Sequence, residues 1–235
     1  MTETIPYKGL VVSCQALENE PLHGSHHMSA MAKAAEMGGA VGIRANSPSD
    51  ITAIKKVVNL PVIGLFKKKY AHYDLHITPT VEDALAVHRS GADIVAIDGT
   101  ERTRPDHKTL KETIAKLKQY GIRVMADVST FEEGMSAAKY GADYVSTTLS
   151  GYTPYSKKQD GPDFELVTAL SKVLSVPVAA EGRIRSPQEA VAALEAGAHF
   201  VVVGGAITRP QFITQMFTYE INKHMTAMKS VMREK

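Results

Sequence analysis

The sequence predicts a single α/β domain over residues 1–235, a (β/α)8 TIM barrel, and three observations carry that expectation. The first is an internal repeat. Gly39-Ala40, Gly91-Ala92-Asp93, Gly141-Ala142-Asp143 and Gly197-Ala198-His199 each close a helical pattern and open an apolar run, at spacings of 52, 50 and 56 residues. Such spacings fit pairs of βα units of roughly 25–30 residues each. A second match, Leu60-Pro61-Val62 with Val176-Pro177-Val178, lies 116 residues apart and implies two similar halves of about four units. The second observation is that short apolar runs alternate with helical patterns, as strands buried on both faces of a parallel sheet require. The third is that eight such runs occur with no linker, low-complexity tract or composition shift between them, which favours a closed barrel over an open doubly wound sheet.

Taken in order, strands are expected at residues 10–13, 40–44, 62–65, 94–98, 123–127, 144–148, 178–181 and 200–204. Helix starts fall between them. Ser47-Pro48-Ser49-Asp50, Thr80-Val81-Glu82-Asp83 and Ser186-Pro187-Gln188-Glu189 each place a capping hydroxyl ahead of acidic residues or a first-turn proline. Residues 28–37 and 130–140 are rich in helix formers. A glycine after a helix supplies the left-handed cap that turns the chain into the next strand. Residues 211–228 form a last helical stretch whose Phe212, Met216, Phe217, Ile221, Met225 and Met228 share a face. That face is expected to pack on the barrel, with a second subunit as the alternative.

Composition removes several function classes. A net charge of +2, no tryptophan and no basic patch interleaved with aromatics give no support to nucleic-acid binding. The lone cysteine, Cys14, excludes an internal disulfide and a zinc site of several thiolates, and its apolar neighbours suggest a buried, inert thiol. The first residues, MTETIPYKGL, lack a signal pattern, and no run approaches the roughly 18 apolar residues of a membrane span, so a cytoplasmic protein is expected. No metal site is expected either. His26 and His27 are adjacent rather than one helical turn apart and read as loop residues, although one of them could reach the mouth, and His72 and His76 lie in a polar loop. Asp98 and Asp127 could share a cation, but Arg44 and Lys67 would oppose it and are the more natural partners.

Barrels of this kind place chemistry at the carboxyl ends of their strands. Here those ends are occupied in turn by Gln15, Arg44, Lys67, Asp98, Asp127, Thr147-Thr148, Glu181 and Gly204-Gly205, a set better explained by a polar active-site floor than by chance. Lys67 follows the buried run 61–66; taken alone, Lys67, Lys68 and Lys69 read as a solvated loop. Beside the other polar strand ends, the Lys67 stem is expected among apolar walls with its ammonium at the mouth, where desolvation can make it a base or a nucleophile. The last two ends differ. Gly182-Arg183 and Gly204-Gly205, with Arg209 nearby, offer glycine backbone beside a helix start, which is where barrels hold phosphate.

With these residues assembled, the chain resembles the N-acetylmannosamine-6-phosphate 2-epimerases of sialic acid catabolism. The motifs are Ser13-Cys14-Gln15-Ala16-Leu17, Gly42-Ile43-Arg44, Pro61-Val62-Ile63-Gly64 with Lys67, Ile77-Thr78-Pro79-Thr80, Met125-Ala126-Asp127, Thr147-Thr148-Leu149-Ser150-Gly151-Tyr152-Thr153, Ala180-Glu181-Gly182-Arg183 and Ala206-Ile207-Thr208-Arg209-Pro210. They cover almost the full length and are specific jointly. The resemblance implies a (β/α)8 barrel, no metal or organic cofactor, and a homodimer. It implies catalytic roles for Lys67 and Glu181, substrate positioning by Gln15, Arg44, Asp127 and Tyr152, and phosphate binding by Gly182, Arg183, Gly204, Gly205 and Arg209. Three positions depart from the pattern: Phe66 stands where a smaller residue is expected, Lys68 where Arg is expected, and Gly205 where Ser is expected. None removes a catalytic group.

The implied reaction inverts C2 of an amino-sugar phosphate. In the open-chain aldehyde the C1 carbonyl acidifies the C2 proton, and Lys67 and Glu181, on opposite strands of the ring, suit one carbon flanked by two acid/base groups. Lys67 is expected to abstract and Glu181 to return the proton, with the roles exchanged in reverse. The rivals are a Schiff-base aldolase using Lys67, a metal-assisted sugar-phosphate epimerase, and a non-catalytic sugar-phosphate sensor.

Overall fold

The computed structural model describes residues 4–233. The elements follow as β1 (Gly9–Cys14), α1 (Ser25–Met37), β2 (Gly42–Asn46), α2 (Pro48–Lys55), β3 (Val62–Leu65), α3 (Val81–Arg89), β4 (Ile94–Asp98), α4 (Leu110–Gln119), β5 (Val124–Asp127), α5 (Phe131–Lys139), β6 (Tyr144–Ser146), α6 (Phe164–Val173), β7 (Val178–Glu181), α7 (Pro187–Glu195), β8 (Phe200–Val203), α8 (Gly205–Thr208) and α9 (Pro210–Arg233). Every strand pairs in parallel with its sequence neighbours, and β8 returns to β1 with Val202 beside Val11. The barrel is closed, and the eight expected strands are the eight observed.

The repeated Gly-Ala-Asp signal has a local cause. Gly39, Gly91, Gly141 and Gly197 all take the left-handed conformation, with φ of 91°, 97°, 101° and 107°, and end the helix before the next strand. The aspartate that follows in two of these repeats tethers the neighbouring strand. Asp93 accepts from the Val62 amide at 2.7 Å and pairs with Lys55 at 2.9 Å; Asp143 accepts from the Val124 amide at 2.8 Å and pairs with Lys118 at 2.6 Å. All three anticipated helix caps form: Ser47, Thr80 and Ser186 accept from the amides of Asp50, Asp83 and Glu189. A cap of this kind contributes about 1 kcal/mol.

Alternation along the strands sorts the core into two layers. Ile63 and Leu65 on β3, Met125 on β5, Tyr144 on β6 and Phe200 on β8 fill the barrel interior, while Val62, Val124, Val145 and Val178 pack outward under the helices. Cys14 belongs to the outer layer, and burial pushes its thiol up to about 12, which makes it as inert as expected.

Four expectations are corrected. β2 begins two residues later than expected, because Ala40 and Val41 belong to the turn after Gly39. β6 ends at Ser146, and Thr147–Leu149 form a single 3-10 turn that re-aims the chain. α1 starts at Ser25, so His26 and His27 are exposed helix residues. Finally, α9 covers only the start of its apolar face: Phe212 and Met216 are half-buried, but Phe217 and Ile221 are 67% and 60% exposed, and Met225 and Met228 are exposed too. Amphipathic spacing shows that a face needs cover but not what covers it.

Candidate active site

The same alternation that fills the interior with Ile63, Leu65 and Met125 carries on upward and turns polar. Two residues beyond Leu65 is Lys67; two beyond Met125 is Asp127; two beyond Ala179 is Glu181; and Ser146 and Thr148 follow Tyr144 at the same step. Arg44 from β2 enters between them. A cavity of about 220 Å³ at the mouth is lined by Ser13, Gln15, Lys67, Thr148, Tyr152, Glu181, Gly182, Arg183, Gly204, Gly205, Thr208 and Arg209. Lys67 and Glu181 therefore share one cavity.

Lys67 sits where the β3–α3 loop folds back on itself. Its amide donates to Asn46 Oδ1 at 2.7 Å, and it forms an antiparallel bridge with Ile77. Thr78 fixes this fold-back from below. Its amide donates to Phe66 O at 2.8 Å, its Oγ1 accepts from the Phe66 amide at 3.0 Å and donates to Ala96 O at 2.6 Å, and its φ is +45°. Such a backbone conformation in a β-branched residue is uncommon, and the hydrogen bonds on both sides hold it.

Beneath the cavity, Arg44 and Asp127 are 1% and 0% exposed. Arg44 Nη2 and Nη1 donate to the two Asp127 oxygens at 2.5 and 3.1 Å, and Nη1 also meets Glu181 Oε2 at 2.9 Å. Thr148 Oγ1 lies 2.9 Å from Asp127 Oδ1 and 3.0 Å from Glu181 Oε2. One guanidinium thus serves two carboxylates, and Asp127 leaves the cavity lining to form its floor. Asp98 does not join them. It pairs instead with Arg102 at 2.7 Å and with Thr100, so its expected partners Arg44 and Lys67 are replaced by residues of its own β4–α4 loop.

Burial and neighbouring charges shift both Lys67 and Glu181. Desolvation, then the Arg44 charge, lowers the Lys67 pKa, although Glu181 pulls the other way. Glu181 moves up, driven by burial and by Asp127, against the pull of Arg44. The two groups approach each other in pKa, as a base and an acid working on one carbon require.

The glycine side of the cavity is built from two loops. Gly182 and Arg183 both have positive φ, 115° and 58°. Arg183 turns its side chain to the β6–α6 loop: Nε donates to Gly161 O and Nη1 to Ser150 O, each at 2.7 Å, and the guanidinium lies over the Tyr152 ring at 5.2 Å. Its Nη2 and backbone amide are the donors these contacts leave. Tyr152 stands at the rim, 63% exposed. Arg209 pairs with Glu20 at 3.0 Å, and Thr208 Oγ1 donates to Ser13 O at 2.9 Å, tying α8 to β1. Gln15 Nε2 donates to Ser13 Oγ at 2.9 Å, while its buried Oε1 has no protein partner. Among the described residues no three His, Cys, Asp or Glu side chains gather as a metal site would.

Residues 28–223 match a family model described as "Putative N-acetylmannosamine-6-phosphate epimerase". The chain belongs to this epimerase family. It is 57% identical over 211 residues to the Caldanaerobacter subterraneus "Putative N-acetylmannosamine-6-phosphate 2-epimerase", covering 89% of each chain. It is 52% identical to the protein of the same name from Clostridioides difficile, covering 90% of this chain and 95% of the relative. Among solved structures it resembles the Clostridium perfringens N-acetylmannosamine-6-phosphate 2-epimerase with a TM-score of 0.89 and 48% identity, over 91% and 93% of the two chains. The Pyrococcus furiosus thiamine phosphate pyrophosphorylase, at 20% identity and a TM-score of 0.59 over 87% and 89%, shares the fold alone.

Within this epimerase fold every site residue expected from sequence except Asp127 and Arg44 lines the cavity, and those two lie directly beneath, bonded to Glu181 or to each other. Sequence reasoning put Thr148 at a polar strand end without a specific role, and gave none to Asn46, Thr78, Ser146 or Glu20. Strand parity was the available signal for Ser146 and Thr148, since Tyr144, Ser146 and Thr148 alternate inward. Nothing local marks Glu20, which reaches Arg209 from 189 residues away.

Proposed function

We infer that this epimerase inverts C2 of N-acetylmannosamine 6-phosphate to give N-acetylglucosamine 6-phosphate, by abstraction and return of the C2 proton, within amino-sugar and sialic acid catabolism. The observation that carries the mechanism is the placing of Lys67 and Glu181 on one small cavity with their pKa values drawn together. Neutral Lys67 takes the proton from C2 on one face of the open-chain sugar. Protonated Glu181 supplies one to the other face of the resulting enolate, and in reverse the roles exchange. No metal or organic cofactor enters this scheme.

The remaining residues divide by chemistry. Gly182, Arg183, Gly204, Gly205 and Arg209 take the phosphoryl group with backbone amides and cationic side chains, anchoring the sugar so that remote binding energy positions C2. Gln15 Oε1, buried without a protein partner, is an acceptor suited to the N-acetyl N–H. Arg44 and Asp127 orient Glu181, and Tyr152 covers the sugar from the rim.

The chain works as a homodimer in the cytoplasm in this reading. Support for the dimer is the exposed apolar face of α9 together with an apolar cavity of about 330 Å³ between α7, β1 and β8, surfaces that a second copy would cover.

An NMR assay of C2 inversion on the 6-phosphate and on the unphosphorylated sugar tests the substrate assignment. Inversion is expected on the phosphate, with deuterium appearing at C2 in deuterated water; equal turnover of the two sugars would remove the phosphate-anchored reading.

A further inference from the structure

Thr148 Oγ1 touches more acceptors than its single proton can serve. It lies 2.9 Å from Asp127 Oδ1, 3.0 Å from Glu181 Oε2 and 2.8 Å from Ser146 Oγ. A hydroxyl has one O–H and two lone pairs. Ser146 can donate to it, but it can donate to only one carboxylate at a time. With both carboxylates ionised, one contact would set an oxygen lone pair against another. With one proton shared between them, all three contacts are satisfied: one carboxylic acid donates to Thr148, and Thr148 donates to the other carboxylate.

The surrounding charges favour the shared proton. Facing the hydroxyl and its two carboxylates are Arg44 on β2, Lys67 beyond β3, Asp98 on β4, Asp127 on β5 and Glu181 on β7. Asp98 is neutralised by Arg102. Arg44 is the cation bonded to both Asp127 and Glu181, one positive charge against two carboxylates, so an extra proton on the pair balances the buried floor.

We propose that Thr148 is a proton relay between Glu181 and Asp127, which together hold one proton. The inference rests on the reading that Glu181 acts at C2. With that proton on Asp127, Glu181 Oε2 takes the Thr148 hydroxyl proton while Thr148 Oγ1 takes the proton of Asp127 Oδ1. Two O–H bonds break and two form; the negative charge moves from Glu181 to Asp127, beside Arg44. Glu181 is thereby loaded from below before it gives the proton to C2, and the turnover leaves both carboxylates ionised with the proton taken from the substrate on Lys67.

The test compares Thr148→Val and Thr148→Ser with wild type across pH, alongside Glu181→Gln. Thr148→Val is expected to lower kcat by about tenfold to a hundredfold with KM changed by less than about twofold, and to displace the Glu181 limb of the pH profile. Thr148→Ser is expected to restore both. A Thr148→Val profile that overlays wild type, or a Thr148→Ser defect equal to that of Thr148→Val, overturns the relay. If Glu181→Gln itself keeps wild-type turnover, the reading of Glu181 fails instead. Should Thr148→Val not fold, infrared spectroscopy decides: the carboxylic-acid stretch of a shared proton is expected in wild type at the working pH and in Asp127→Asn at a shifted frequency, and its absence from wild type overturns the relay.

Discussion

Arg44 and Asp127 meet fork to fork beneath the mouth, both almost wholly buried, with contacts of 2.5 and 3.1 Å. Paired this way the geometry is strong, but either partner alone would be a buried unpaired charge. Arg44→Met is therefore expected to cost about 3–5 kcal/mol of stability. Adding Asp127→Leu to it should recover part of that loss, because the two charges leave together. Urea unfolding midpoints check the order; a double variant less stable than the single one would contradict it. Both variants are expected to be inactive.

Glu181 gives a pH dependence with a definite sign. Its folded pKa lies above the ordinary value of 4.5 because burial penalises the charged form. Between 4.5 and the folded value, the native state holds a proton that the unfolded chain has released. Stability from this group is fully present below that window and falls as pH rises through it. Glu181→Gln cannot titrate, so the stability of wild type relative to Glu181→Gln is expected to decline as pH rises above 4.5. Thermal melts at a series of pH values measure the difference; one that grows with pH would refute the assignment.

Thr78 supports Lys67 at one remove. Thr78→Val leaves the Phe66 amide and Ala96 O without their side-chain partner, an expected loss of about 1–3 kcal/mol. Because the β3–α3 fold-back carries Lys67, kcat is expected to fall as well, while Thr78→Ser keeps both. Chemical denaturation and steady-state kinetics on the two variants separate the effects.

Much of this was legible in the chain, and for a physical reason. Strand burial on both faces, helix caps and left-handed glycines are local signals, so Ser47, Thr80, Ser186 and the four repeat glycines could be placed before any contact was known. Lys67 and Glu181 were legible because strand ends in a barrel converge by construction. What required the structure was sideways. Asp98 turns to Arg102 and Arg183 turns to the β6–α6 loop, choices made by loop conformations that no periodicity encodes. α9 followed its amphipathic pattern into a helix, yet Phe217 and Ile221 show that the pattern alone does not say where the helix docks.

The claim on which the rest depends is that Lys67 and Glu181 exchange protons with C2 from opposite sides. Lys67 lines the cavity and is no part of the packed core, so Lys67→Ala should fold as wild type does. Its kcat/KM for C2 inversion, followed by NMR, is expected to fall about 10²- to 10⁴-fold. Turnover of Lys67→Ala close to that of wild type would contradict it.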